Sequence, residues 1–253
     1  MAQTGIDTAY LSRKIDSELL SWMQESGRKP LLLRGARQVG KSSAVRQLAG
    51  HFDHFLEINF ELDKNARELF AKSDLSPHRL CQELAAIYAT PVIPGKTLLF
   101  LDEIQSSLPA ISSLRFFYER YRDLHVVAAG SLLEFALQEL SSFGVGRLRS
   151  MFMYPMGFFE FLNACNQQLL IQAVQNANCK NPLSEVLHKK VNEYLRKFLI
   201  EVKSNTKGAM QSMRLFLEEK HSPFGIRTSL ENFGELSNVK IVPLYALGNF
   251  LSP

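Results

Sequence analysis

Residues 35–43 read Gly35, Ala36, Arg37, Gln38, Val39, Gly40, Lys41, Ser42 and Ser43, a G-x-x-x-x-G-K-S run with one further hydroxyl behind it. The apolar "PLLLR" precedes the run and the helical pattern "SAVRQLAG" closes it, so it joins a strand to a helix. That spacing suits a loop wrapped around phosphate. Gly35 and Gly40 permit backbone geometry and close approach that a Cβ would obstruct, so successive N–H groups can point at phosphate oxygens. The positive end of the following helix reinforces the anion site. Lys41 can reach the β and γ phosphates of ATP, and the Ser42 hydroxyl can coordinate Mg²⁺. All nine residues are candidates for holding the nucleotide.

A second apolar run, "TLLFLDE", ends in Asp102 and Glu103. An acid at the end of a buried strand is what a magnesium shell needs, so Asp102 joins Ser42 as a candidate metal residue. Glu103 is placed to polarise an attacking water, while Lys41 neutralises developing charge. A small-molecule kinase must suppress attack by water, whereas a nucleotide hydrolase benefits from a base directly after the magnesium aspartate. Hydrolysis of ATP by water is the favoured reaction. Ser131, after "HVVAAG", either contacts the γ phosphate or the attacking water, or merely ends a strand and caps the helix "LLEFALQEL". Arg147 and Arg149, in "GVGRLRSMFMYP", follow a glycine-rich turn where an arginine could stabilise phosphate charge of its own or a neighbouring subunit. A surface-loop arginine is the commoner fate.

A third pattern, Glu201-Val202-Lys203, is the acid-x-lysine arrangement of nuclease strands. Metal-dependent cleavage of a phosphodiester needs a further carboxylate on a neighbouring strand. No aspartate follows Asp123, and Glu185 and Glu193 fall in a helical pattern. Nuclease activity is therefore not expected, and Glu201 and Lys203 read as solvent-facing partners on an edge strand. His51 and His54 in "HFDH" lack a third ligand, and "MYPMGFFEFL" reads as a packing segment rather than a base-stacking platform.

The elements that must position these groups follow from periodicity. Residues 8–26 carry apolar positions at helical spacing and stop at Gly27. Strand-like runs at 29–35, 54–60, 96–103, 124–131 and 149–155 alternate with helical patterns at 40–49, 64–72, 77–89 and 108–121. Continuous apolar strands separated by helices indicate an α/β fold with a parallel five-stranded sheet covered on both faces. From Gly157 to about Leu199 the pattern is helical, with turn signals at 176–182. Beyond it come "FLIEVKS", a helix at 207–220, "FGIRTS" and "VKIVPLYAL". These make a small α+β remnant expected to dock on the main sheet or to order poorly. The predicted divisions are 1–27, 28–156, 157–199 and 200–253.

Composition narrows the class. Apolar residues make up 46% and charged residues 21% of 253, ordinary globular values. Apolar runs are too short for a membrane span, and three scattered cysteines suggest neither a disulfide framework nor a four-ligand zinc site. A cytoplasmic protein is expected. The net charge of +4 arises from Lys180 onward, where 11 basic and 7 acidic residues lie; a DNA or acidic protein partner could use that bias.

With the glycine loop, "LLFLDEIQ", "AAGSLLEFAL", "GRLRSMFMYPMGFFEFL" and the C-terminal "IEVKSNTKG" in view, the chain resembles the prokaryotic AAA-type P-loop ATPases that carry a C-terminal domain with a restriction-endonuclease-like fold. The resemblance implies nucleotide binding by Gly35, Gly40, Lys41 and Ser42, service of magnesium and hydrolysis by Asp102 and Glu103, a sensor-like Ser131 and a phosphate-sensing Arg147. It also implies a possible homo-oligomer. In such proteins the segment ending like "VNEYLRKFLI" continues into a longer stretch, whereas here "FLI" meets "EVKS" directly. The chain resembles an internally deleted member. Two other readings follow: a DNA-binding or nuclease-like module using the basic C-terminal piece, and a truncated nucleotide-binding protein without productive turnover.

Overall fold

The computed structural model describes residues 10–131, 133, 146–198, 225–229, 232–236 and 239–243. The junction near Ile200, the Glu201/Lys203 pair and the helix expected at 207–220 lie outside the described residues. Contacts divide the chain into two units, Met1–Met156 and Gly157–Pro253.

In the first unit, helix α1 (Ile15–Gln24) precedes β1 (Leu31–Arg34), α2 (Lys41–Ala49), β2 (His54–Asn59), α3 (Lys64–Ala71) and α4 (Pro77–Tyr88). Strand β3 (Thr97–Asp102), a 3-10 turn (Ile104–Ser106), α5 (Leu108–Arg120), β4 (His125–Ala129) and β5 (Arg149–Phe152) follow. The five strands pair in parallel in the order β2-β3-β4-β1-β5. Side chains of successive strand residues point to opposite faces, and each face has its own core. Leu32, Leu56, Ile58, Leu99, Leu101 and Ala128 pack beneath α3, α4 and α5. Leu31, Leu33, Leu98, Phe100, Val127 and Met151 pack beneath α1 and α2, with Trp22 of α1 fully buried among them. Burial on both faces is why the central strands read as unbroken apolar runs. At the margin, β2 and β5 alternate buried with partly or fully exposed positions.

This topology sets the site. All five strands point the same way, so the ends of β1, β3 and β4 deliver the glycine loop, Asp102 and Gly130-Ser131 to one edge of the sheet. Because β4 lies between β1 and β3, its end sits between the loop and the acids.

The second unit holds α6 (Phe158–Ala164), α7 (Gln168–Asn176) and α8 (Glu185–Phe198) around Leu162, Leu170, Val174, Val191 and Leu195. Phe158 and Phe161 contact Phe198, with ring centroids 5.8 and 5.3 Å apart, so the phenylalanine-rich segment packs as expected. One sequence expectation needs correction here: Phe198 ends a helix rather than opening a strand. Strands β6 (Gly225–Ser229), β7 (Gly234–Leu236) and β8 (Val239–Pro243) form a mixed sheet in the order β6-β8-β7. The short β7, unpredicted, supplies the partner that the other edge of β8 required.

Candidate nucleotide site

The loop leaves β1 through Gly35 at φ 145°, passes Gln38 at φ 63° and enters α2 through Gly40 at φ 99°. Gly35 is needed for a close approach as well as for its backbone angle. A Cβ there would lie 2.2 Å from the Met153 carbonyl oxygen, in the segment that continues β5. The Met153 N–H donates to Arg34 O at 2.8 Å, which fixes that proximity. Ala36, Arg37, Gln38 and Ser43 are exposed; Val39, Gly40 and Ser42 are half-buried.

Lys41 is the buried member, 6% exposed. Its Nζ donates to Gly35 O at 3.0 Å and Ala36 O at 2.8 Å, so the ammonium lies inside the curve of its own loop. Burial lowers its pKa, and the nearby charges of Glu103 and then Asp102 oppose that shift. Ser42 Oγ donates to Asp102 Oδ2 at 2.8 Å, which joins the start of α2 to the end of β3. Asp102 is only 5% exposed, and its Oδ1 accepts from Glu103 N at 3.0 Å. Its pKa is raised by burial, against those two hydrogen bonds and with further upward pressure from Glu103 and Glu57. A buried carboxylate held against a hydroxyl is a hard oxygen pair that fits a small divalent cation, whose charge would offset the desolvation.

Glu103 adopts a left-handed backbone, φ 47° and ψ 43°, unusual for a residue with a side chain. Its Oε2 accepts from Gln105 Nε2 at 2.6 Å. Ser131 is half-buried at the end of β4. Arg147 lies half-exposed and pairs with Glu119 of α5 at 2.6 Å; Arg149 pairs with Glu25. The loop, Ser42, Asp102 and Glu103 are thus brought together, while both arginines are engaged by surface carboxylates.

Three contributors escaped sequence reasoning. Arg13 donates from Nη1 to Val39 O and from Nη2 to Tyr154 O, each at 2.8 Å, tying the start of α1 to the glycine loop. Twenty-six residues separate it from Val39, and no motif announces the contact. Arg46 of α2 makes a two-bond pair with Glu57 of β2, at 2.8 and 2.6 Å. Gln105 stands within "LDEIQ", a segment already prominent in the sequence, but only the fold shows what its amide touches.

Together, the parallel order, the glycine loop and the serine–aspartate contact define a P-loop nucleoside triphosphatase fold. The profile of the AAA domain family matches residues 27–162, more than half of the 253 residues, and the chain belongs to that family. Among solved structures, AMPPCP-bound DnaA from Aquifex aeolicus is similar at 12% identity over 82% of this chain, with a TM-score of 0.38. The alignment spans 66% of the DnaA chain, just under two thirds. A search of curated proteins gives no match. No helix among the described residues is long and apolar enough to cross a membrane.

Proposed function

We propose that the protein binds ATP at residues 35–43 and hydrolyses it with the help of Mg²⁺. The observation that carries this reading is the 2.8 Å contact between Ser42 Oγ and Asp102 Oδ2, with Glu103 the next residue along the chain. Backbone N–H groups of the loop and the start of α2 receive the phosphates, and Lys41 exchanges its two loop carbonyls for phosphate oxygens. Ser42 and Asp102 hold the magnesium, which supplies neutralisation of phosphate charge when bound. Glu103 accepts the proton of the attacking water. Ser131 faces this chemistry as a polar sensor. Arg147 can serve a phosphate, its own subunit's or a neighbour's in a homo-oligomer, only after releasing Glu119.

Residues 28–156 are the nucleotide-binding part in this reading, preceded by the helix within 1–27. Residues 157–199 form a helical segment and 200–253 an endonuclease-like remnant of an internally deleted chain, without cleavage chemistry. The setting is cytoplasmic, consistent with three free cysteines. Titration with a fluorescent ATP analogue tests the binding claim: Lys41→Ala should abolish tight binding, and unchanged affinity would sink the assignment. Phosphate release tests the hydrolytic claim, with Glu103→Gln expected to bind ATP and turn over at least about 100-fold more slowly. Binding by the wild type without release would favour the reading of a truncated nucleotide-binding protein.

A further inference from the structure

Gln105 occupies the gap between the ends of β3 and β4. Its Nε2 donates to Glu103 Oε2 at 2.6 Å, the assignment a carboxylate acceptor requires. That leaves Oε1 directed toward β4, and it is buried with no described group donating to it. Its neighbour there is Gly130: a Cβ at that position would fall 2.1 Å from Oε1 and 3.2 Å from Cδ of Gln105. Gly130 has no left-handed φ, so space, above all for the Gln105 amide and then for Leu133 Cγ 3.0 Å from that Cβ, accounts for glycine here rather than backbone conformation. One amide therefore touches the candidate base on one side and the strand end carrying Ser131 on the other.

We infer that Gln105 is a positioning residue that holds the Glu103 carboxylate to take the proton of the water attacking the γ phosphate, and couples it to the Gly130-Ser131 end of β4. Three features converge. Glu103 has a left-handed backbone with its carboxylate held by Gln105; the Gln105 oxygen is orphaned; and β4 bears glycine where any side chain would expel that amide. An unpaired buried oxygen has a free-energy cost, which the fold retains at this position. Displacement of the β4 end on contact with phosphate would move the amide, and the amide carries Glu103 with it.

The inference rests on the hydrolytic reading, and the experiment separates the two. Steady-state phosphate release, ATP affinity and thermal melting are measured for wild type, Gln105→Met, Gln105→Ala, Gly130→Ala and the double variant Gln105→Ala/Gly130→Ala. Gln105→Met keeps the side-chain length and removes the donor, so kcat should fall at least about tenfold while KM and ATP affinity stay within about threefold. Gly130→Ala should reproduce that split, because its methyl group displaces the Gln105 amide; the buried Leu133, whose Cγ would lie 3.0 Å away, need give by only a few tenths of an ångström, a cost that thermal melting reads separately. In the Gln105→Ala background the methyl group loses its tightest contact and keeps only the 3.0 Å approach to Leu133 Cγ, so Gly130→Ala should have little further effect on kcat. A wild type that binds ATP and releases no phosphate would overturn the hydrolytic reading and this inference with it. A wild type that turns over, with Gln105→Met matching its kcat, would overturn the inference alone. Additive losses from Gly130→Ala in both backgrounds would also overturn it.

Discussion

Acidification should loosen the first unit through one histidine. His125 begins β4 in a buried position, its ring edge-on to Trp22 and Phe52 at centroid distances of 5.9 and 4.7 Å. The Met23 carbonyl 3.2 Å from Nε2 requires a proton there, which leaves Nδ1 to accept from Arg28 Nη2 at 3.2 Å. Burial, and then the Arg28 charge, lower the pKa to about 4 from 6.5, against the hydrogen bond to Met23. A base whose folded pKa is depressed takes up more protons when unfolded, so stability falls as pH drops below 6.5 and continues falling toward 4. With those two values the linkage relation gives a loss of about 2 kcal/mol between pH 7.5 and pH 5, from a limit of about 3.4 kcal/mol at still lower pH. Urea unfolding can be followed by fluorescence of Trp22, the sole tryptophan, which contacts the ring directly. His125→Gln retains a donor for Met23 and an acceptor for Arg28 but does not titrate. The difference in stability between wild type and variant should therefore shift by about 2 kcal/mol over that pH range, whatever the variant's absolute stability. Parallel pH profiles would refute the reasoning.

Gly35→Ala should cost about 2–4 kcal/mol, since both its φ and a 2.2 Å approach to a backbone oxygen oppose a methyl group. Gly27→Ala, at φ 71° with nothing within 4 Å, should cost only the conformational part, about 1 kcal/mol; equal losses in urea would contradict the steric account. Asp102→Asn should raise the melting temperature of the nucleotide-free protein by a few degrees, because it removes a charge that burial penalises. It should also weaken the magnesium dependence of ATP binding, measured by titration with and without the metal. Arg13→Ala should weaken ATP binding by about tenfold through loss of the restraint on Val39, with no change in the preference for magnesium.

The helices and strands of the first unit were legible because burial on two faces writes itself as unbroken apolar runs, such as "LLFL" and "VVAA". The phosphate loop was legible because its constraints are local: two glycines, a lysine and a hydroxyl between one strand and one helix. Arg13 was not, since it acts on residues that only the fold brings near; nor was Gln105, whose partner Glu103 is two residues away but whose other side meets Gly130 only in the fold. Gly130 looked like a strand end and also leaves room for a side chain from the 3-10 turn that follows the neighbouring strand. Strand β7 escaped notice because three residues, the first a glycine, carry no usable period, and only pairing with β8 defines them. His125 lies within the apolar run at 124–131 with no signal of its own; its depressed pKa comes from burial and then from the Arg28 charge, against the hydrogen bond to Met23.

Those contacts give α1 a role that its amphipathic pattern did not announce. At its start, Arg13 holds Val39 O of the phosphate loop and Tyr154 O beyond β5. At its end, Met23 O receives His125 Nε2–H at the opposite edge of the same sheet. Between them Ile15, Leu19 and Trp22 are buried in the core beneath the sheet face. A ten-residue helix spans about 15 Å, so α1 runs along the face and is tied at both ends. The tie at the far end has a weakness that the Arg13 tie lacks: a proton on His125 Nδ1 ends its acceptance from Arg28 and leaves a buried charge beside the guanidinium, so the ring is driven outward and its bond to Met23 goes with it. Acid should therefore release the far end of α1 first and leave the loop end attached. If so, nucleotide affinity should outlast the early change in Trp22 fluorescence as pH falls toward 5; simultaneous loss of both would mean that α1 leaves the sheet as one piece.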